Sequence, residues 1–99
     1  MTAKLIYTFT ADIWLYGENG RWHFVSVPAD QAKEIRQFNK DLEEGWGRLK
    51  ATAIANDHEW KTAIWFDKKK NTYLLPIKAD IRKRFSLKEG DQIKVSILI

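Results

Sequence analysis

"LLPIKADIRKRFSLKEGDQIKV" occupies residues 74–95, and its reading decides the fold. A short apolar run closes at Pro76. In "ADIRKRF" (79–85), Ile81 and Phe85 are four apart, which places both on one helical face and predicts a short helical turn packed on a core. Asp80 lies near the positive end of that turn and Arg82, Lys83 and Arg84 towards its negative end, a distribution that favours the helix. "KEGD" (88–91) then supplies Gly90 for a left-handed turn position. Residues 92–99 alternate, with Ile93, Val95, Ile97 and Ile99 inward and Gln92, Lys94 and Ser96 outward. Every residue type in the stretch has a folding reason that needs no ligand. Strand, helical turn, tight turn and strand form one unit.

Working outward, the periodicity changes define the other elements. Residues 3–16 read as one long strand with Leu5, Tyr7, Phe9, Ala11, Ile13 and Leu15 on one face; Ile6, Trp14 and Tyr16 make the other face apolar at its ends. A strand of that length usually bends and serves two parts of a barrel. "GENG" (17–20) is a turn, and "RWHFVSV" (21–27) returns as the second strand. Pro28 ends it and opens a helix over 29–42, in which Ala32, Ile35, Phe38 or Asn39, and Leu42 follow helical spacing. "EEGWG" (43–47) breaks the helix. "RLKATAIA" (48–55) places Leu49, Ala51, Ala53 and Ala55 on one face, whose small residues suggest close approach of another backbone or a helix. "NDH" (56–58) makes a hairpin turn into "EWKTAIWF" (59–66), with Trp60, Thr62, Ile64 and Phe66 on one face. "DKKKN" (67–71) is a charged loop before "TYLLPIK". The expected fold is mostly β: a small, six-stranded, antiparallel-rich closed barrel in a single domain over 1–99, with one α-helix (29–42) and a short helical turn (79–85).

With 99 residues, one core is expected without staples. The absence of cysteine excludes disulfides, thiolate metal sites and cysteine nucleophiles. Lys4, Thr8, Thr10 and Asp12 interrupt the apolar residues near the N-terminus, so neither a signal peptide nor a membrane span is expected and a cytoplasmic location is. Seventeen basic residues face thirteen acidic ones, with the two signs interleaved, so the pI near 9.4 favours anionic partners only mildly. Five tryptophans exceed what this length predicts, and tryptophan both fills cores and stacks on sugars and bases.

No G-x-S-x-G elbow and no glycine-rich loop opening a helix occurs, and the Glu43–Glu44 pair is expected to be solvated at a helix end, so no enzymatic activity is expected. His23, in phase with Val25 and Val27, is expected to be structural or exposed rather than a ligand or general base. "DHE" (57–59) has a crude metal-site composition, but neighbours on a tight turn do not converge on one ion; no metal and no cofactor are expected. The best binding candidates are basic. Lys78 and Arg82, four apart, are placed to reach one phosphate or carboxylate. Trp22 and Trp60 are further ligand-binding candidates, with Trp65 beside them. Trp60 and Trp65 have opposite parity, so one faces in and the other out, and an exposed tryptophan beside cationic side chains marks a small-ligand or partner site. The expected partner is an anionic small molecule or another protein, with nucleic acid and membrane not expected. The alternative is duplex DNA held by Arg82, Lys83, Arg84 and Lys88.

That alternative comes from a local resemblance. Residues 74–95 resemble the "P…IR…L…L.EGD.V" ending of the AbrB-like swapped-hairpin transcription factors and antitoxins, which implies DNA binding by dimers of shorter chains. Over nearly its whole length the chain more closely resembles the uncharacterised bacterial family called domain of unknown function nineteen-oh-five. The matching passages are "W.FV.VP" (Trp22, Phe24, Val25, Val27, Pro28), "GWGRLKATA" (45–53), "WKTAIWF" (60–66), "YLLPIKADIRK" (73–83) and "L.EGD.I.V" (Leu87, Glu89, Gly90, Asp91, Ile93, Val95). This resemblance implies a closed barrel with one packed helix and assigns no activity. Two departures, in the turn 56–58 and at Asp67, bear on loop shape.

Overall fold

A computed structural model describes residues 5–17 and 22–99 of the chain. The described residues form seven strands and two α-helices in the order β1 (Ile6–Asp12), β2 (Trp14–Tyr16), β3 (Trp22–Ser26), α1 (Ala29–Asn39), β4 (Arg48–Ala55), β5 (His58–Asp67), β6 (Thr72–Pro76), α2 (Ala79–Phe85) and β7 (Gln92–Leu98). The expected turn at 17–20 lies, beyond Gly17, outside the described residues, as do residues 3–4 and Arg21 of the expected strands.

The expectation of a six-stranded closed barrel is corrected. The strands form one seven-stranded antiparallel sheet in the order β1-β7-β4-β5-β6-β3-β2, an open half-barrel. The extra strand arises because the stretch read as one strand changes partner at Ile13. Upstream, β1 runs along β7 from Ile6↔Leu98 to Asp12↔Gln92. Downstream, β2 pairs with β3 through Trp14↔Phe24 and Tyr16↔Trp22. The two pieces are the two edges of the sheet, and among the described residues no ladder joins them.

The bend is held by the turn within 74–95. Ile13 N donates to Asp91 O (2.9 Å), and Gly90 N donates to Ile13 O (2.9 Å). Gly90 has φ +88°, a conformation that glycine adopts without Cβ strain. The "EGD" turn thus serves as a clamp on the kink of the first strand.

The concave face carries the core. Tyr7, Phe9, Ile13, Val25, Leu49, Ile64, Tyr73, Leu75 and Ile97 are buried there; α1 adds Ala32 and Ile35, and α2 adds Ile81. Ala53 lies directly opposite Trp60, so small residues on β4 leave room for an indole packed against the core. The hairpin between β4 and β5 turns on Asn56 and Asp57, both at positive φ, the geometry of a type I′ turn.

The helix expected over 29–42 ends its α-helical part at Asn39 and continues as a 3₁₀ turn, Lys40–Leu42. Asn39 is the buried member of the 38/39 pair, its Nδ2 donating to Ile35 O (2.9 Å). Phe38 and Leu42 point out, 64% and 66% exposed. After α2, Ser86 adopts the left-handed conformation and Leu87 N reaches back to Arg82 O (2.8 Å), a Schellman-type stop. No helix among the described residues is long and apolar enough to cross a membrane.

Candidate functional site

The outer face of the β2-β3-β6 edge is unusually aromatic. Alternation sends Val25 inward and Trp22, Phe24 and Ser26 outward on β3; on β2 the outward residues are Trp14 and Tyr16. Phe24 is the centre: its ring lies 5.6 Å from Trp14, 5.8 Å from Tyr16 and 6.4 Å from a nearly parallel Trp22. Trp14 Nε1 donates to Ser26 Oγ (3.0 Å), which fixes that indole, and Lys70 Nζ lies 4.6 Å from its ring centroid. Tyr16 and Trp22 remain 50% and 58% exposed.

Two hollows that share part of their walls lie at this edge. One, of about 250 Å³, has almost wholly apolar walls formed by Tyr16, Trp22, Phe24, Trp65 and Pro76, with Lys78 at its rim. The other, of about 170 Å³, lies between Trp22, His23, Pro76, Lys78 and Arg82. Trp22, Pro76 and Lys78 belong to both. Arg82 Nε is held by Ile77 O (3.1 Å), which positions the guanidinium; among the described residues neither Lys78 nor Arg82 is in an ion pair. His23 faces inward, and its buried Nδ1 has no hydrogen-bond partner among the described residues.

Three of the four sequence-selected ligand candidates, Trp22, Lys78 and Arg82, therefore meet. Trp60 does not join them. It faces the core side of β5, stacked 5.7 Å from His58, and His58 in turn meets the edge of Phe85. Lys83, Arg84 and Lys88 are exposed, and none of them lines either hollow. Within "DHE", Asp57 is a turn residue and Glu59 is exposed; among the described residues no group of three or more His, Cys, Asp or Glu is placed to hold a metal ion.

Sequence reasoning weighed Trp65 beside Trp60 without choosing it, and missed Tyr16 and Phe24 as walls of the hollow. Their shared outward parity on β2, β3 and β5 was the available signal. It also misread Glu43. That carboxylate is mostly buried, its Oε1 accepting from Tyr73 Oη (2.6 Å) with Arg36 NH1 at 4.0 Å, while Arg36 lies over the Phe66 ring at 3.8 Å. Burial and the Glu43 carboxylate hold the Tyr73 phenol well above its usual range. Glu44 is the solvated member of the pair and forms a salt bridge with Arg48.

Residues 9–97 match the family described as Domain of unknown function (DUF1905). The chain belongs to that family. No curated protein matches it. Membership in DUF1905 covers the aromatic edge, both hollows and the clamp at Ile13, and brings no activity with it.

Proposed function

We propose that this DUF1905 domain is a non-catalytic binding module for a small ligand that joins a flat apolar body to an anionic group. One observation carries the reading: an apolar, aromatic hollow and a cationic hollow adjoin and share Trp22, Pro76 and Lys78. A flat body fits against Trp22, Phe24 and Trp65, where stacking and area burial supply affinity. A carboxylate or phosphate then lies within reach of Lys78 and of the Arg82 guanidinium, which its backbone bond pre-orients. The groups converging there are cations and aromatic rings, a set suited to holding an anion. A sugar fits less well, because the apolar hollow offers hardly any hydrogen-bonding wall.

Thermal-shift titration with aromatic carboxylates, aromatic phosphates and their neutral isosteres tests this. Anionic compounds are expected to raise the melting temperature, by about 2.7 kcal/mol of stabilisation at a hundredfold excess over Kd. Neutral isosteres should do far less, and Lys78→Ala with Arg82→Ala should weaken the response at least about tenfold, the worth of one charge-assisted contact of about 1.4 kcal/mol. No shift with any anionic compound would sink this reading and favour a protein partner on the same face.

A further inference from the structure

The sheet carries a second group of cations that adjoins the aromatic edge. On β4, Arg48 and Lys50 stand two residues apart, roughly 6.8 Å along the strand. On β5, Lys61 faces Thr52, Ala63 faces Lys50, and Trp65 faces Arg48. The inward residues Leu49, Ala51 and Ala53 are buried, so Arg48 and Lys50 share the outer face with Trp65, whose ring centroid lies 5.6 Å from the Arg48 guanidinium carbon. Together they border a shallow groove of about 680 Å³, floored by Ala63 and Thr52, which Lys78 also lines. Trp65 and Lys78 therefore belong both to this groove and to the aromatic hollow.

The charge is available. Glu44 engages Arg48 and stands 4.0 Å from Lys50 Nζ, but the Lys50 side chain is 79% exposed. Among the described residues Lys61 and Lys78 take part in no ion pair. We infer that this face, from Lys50 and Lys61 across Trp65 to Lys78, is a track for a single-stranded nucleic acid, with one base seated in the aromatic hollow. Cations interleaved with exposed aromatic rings are the arrangement that holds a phosphate backbone and stacks its unpaired bases. A duplex hides its base faces and leaves the rings unused; an acidic peptide uses the lysines and has nothing flat to stack. The inference rests on the proposed reading, since it makes a nucleotide unit the flat anionic ligand, and it adds the β4–β5 cations, which a small ligand does not need.

Fluorescence anisotropy with labelled, mixed-sequence single-stranded RNA and DNA of about twelve nucleotides tests it, beside the same duplex and a poly-glutamate competitor. With about four phosphates neutralised and a slope of about −0.7 each, affinity is expected to fall about 50-fold between about 50 and about 200 mM salt. Lys50→Glu with Lys61→Glu should weaken binding at least tenfold, and Trp65→Ala by about tenfold, the stacking worth of one base, with Trp65→Phe restoring most of it. Circular dichroism of each variant checks that the sheet is intact. No binding at low salt, indifference to the Lys50/Lys61 reversal, or equal competition by duplex or poly-glutamate would overturn the inference. A thermal shift with small aromatic anions, lost on Arg82→Ala but unaffected by Lys50→Glu with Lys61→Glu, would in that case leave the proposed small-ligand function standing alone.

Discussion

Tyr73 Oη and Glu43 illustrate what a single polar contact does inside this domain. A phenol donating to a mostly buried carboxylate forms a charge-assisted bond, worth about 1.5–3 kcal/mol, and it ties the end of the helical segment to β6. Tyr73→Phe is expected to lose that amount in chemical denaturation, while Glu43→Gln, which keeps an acceptor, should lose less. The pH dependence follows from the same bond. Folding raises the Tyr73 pKa, so the native state holds its proton more tightly than the unfolded chain does. The contribution is complete below the ordinary tyrosine value of about 10 and is lost as pH rises above it. Melting temperature should therefore fall more steeply above about pH 10 in the parent than in Tyr73→Phe; burial also raises Tyr7, which leaves a residual slope in the variant. None of this was legible at Glu43, because its burial depends on a tyrosine thirty residues away. The opposite orientations of Trp60 and Trp65 were legible, because parity alone decides them.

At the scale of elements, the chain reads well wherever one periodicity serves one partner. The helix start at Pro28, the alternation of β4 and β7 and the turn at Gly90 all follow from local chemistry. The break at Ile13 does not. Tyr7, Phe9, Ala11, Ile13 and Leu15 keep a period of two straight through it, so nothing in the pattern marks where the partner changes from β7 to β3. The site divides in the same way: Lys78 and Arg82 are brought together by one helical turn, whereas Trp60 lies on the core face of β5 and Trp22 on the outer face of β3, a relation between strands that the parity of either strand alone does not print. Short connections impose their own demands. Gly47, at φ +70°, precedes β4, and a Cβ there would lie 3.1 Å from Phe66 Cβ. Gly47→Ala should cost about 1–2 kcal/mol from the left-handed backbone alone, and more if Phe66 is pushed from beneath Arg36. In the hairpin, Asp57→Val should cost a similar amount while Asp57→Gly should be close to neutral, since both turn residues hold positive φ. Urea denaturation of the three variants checks these values.

For the whole molecule, the count of strands did not determine closure. Sequence suggested enough strands for a barrel, but closure needs the two edges to pair, and here the edges are two halves of one bent segment. Amide hydrogen exchange should separate the alternatives. In the open half-barrel the outward N–H groups of β1 and β2 exchange fast, while those of β5 and β6, paired on both sides, exchange slowly. Equal protection along both edges would indicate a closed ladder. Ile13→Ala, which removes a fully buried side chain at the clamp, is expected to cost about 2–5 kcal/mol and to speed exchange at both edges together.

The pairing of β1 with β7 has a consequence for biosynthesis. Ile6 meets Leu98, so among the described strands of this domain the one synthesised first has as its one ladder partner the one synthesised last. At about 5–20 residues per second, several seconds separate the two. Throughout that interval the nascent chain carries an unsatisfied strand bearing Tyr7 and Phe9, the kind of segment that associates with its neighbours or recruits a chaperone. Substitutions that make β1 stickier should therefore lower the yield of folded protein even where they leave the finished fold unharmed.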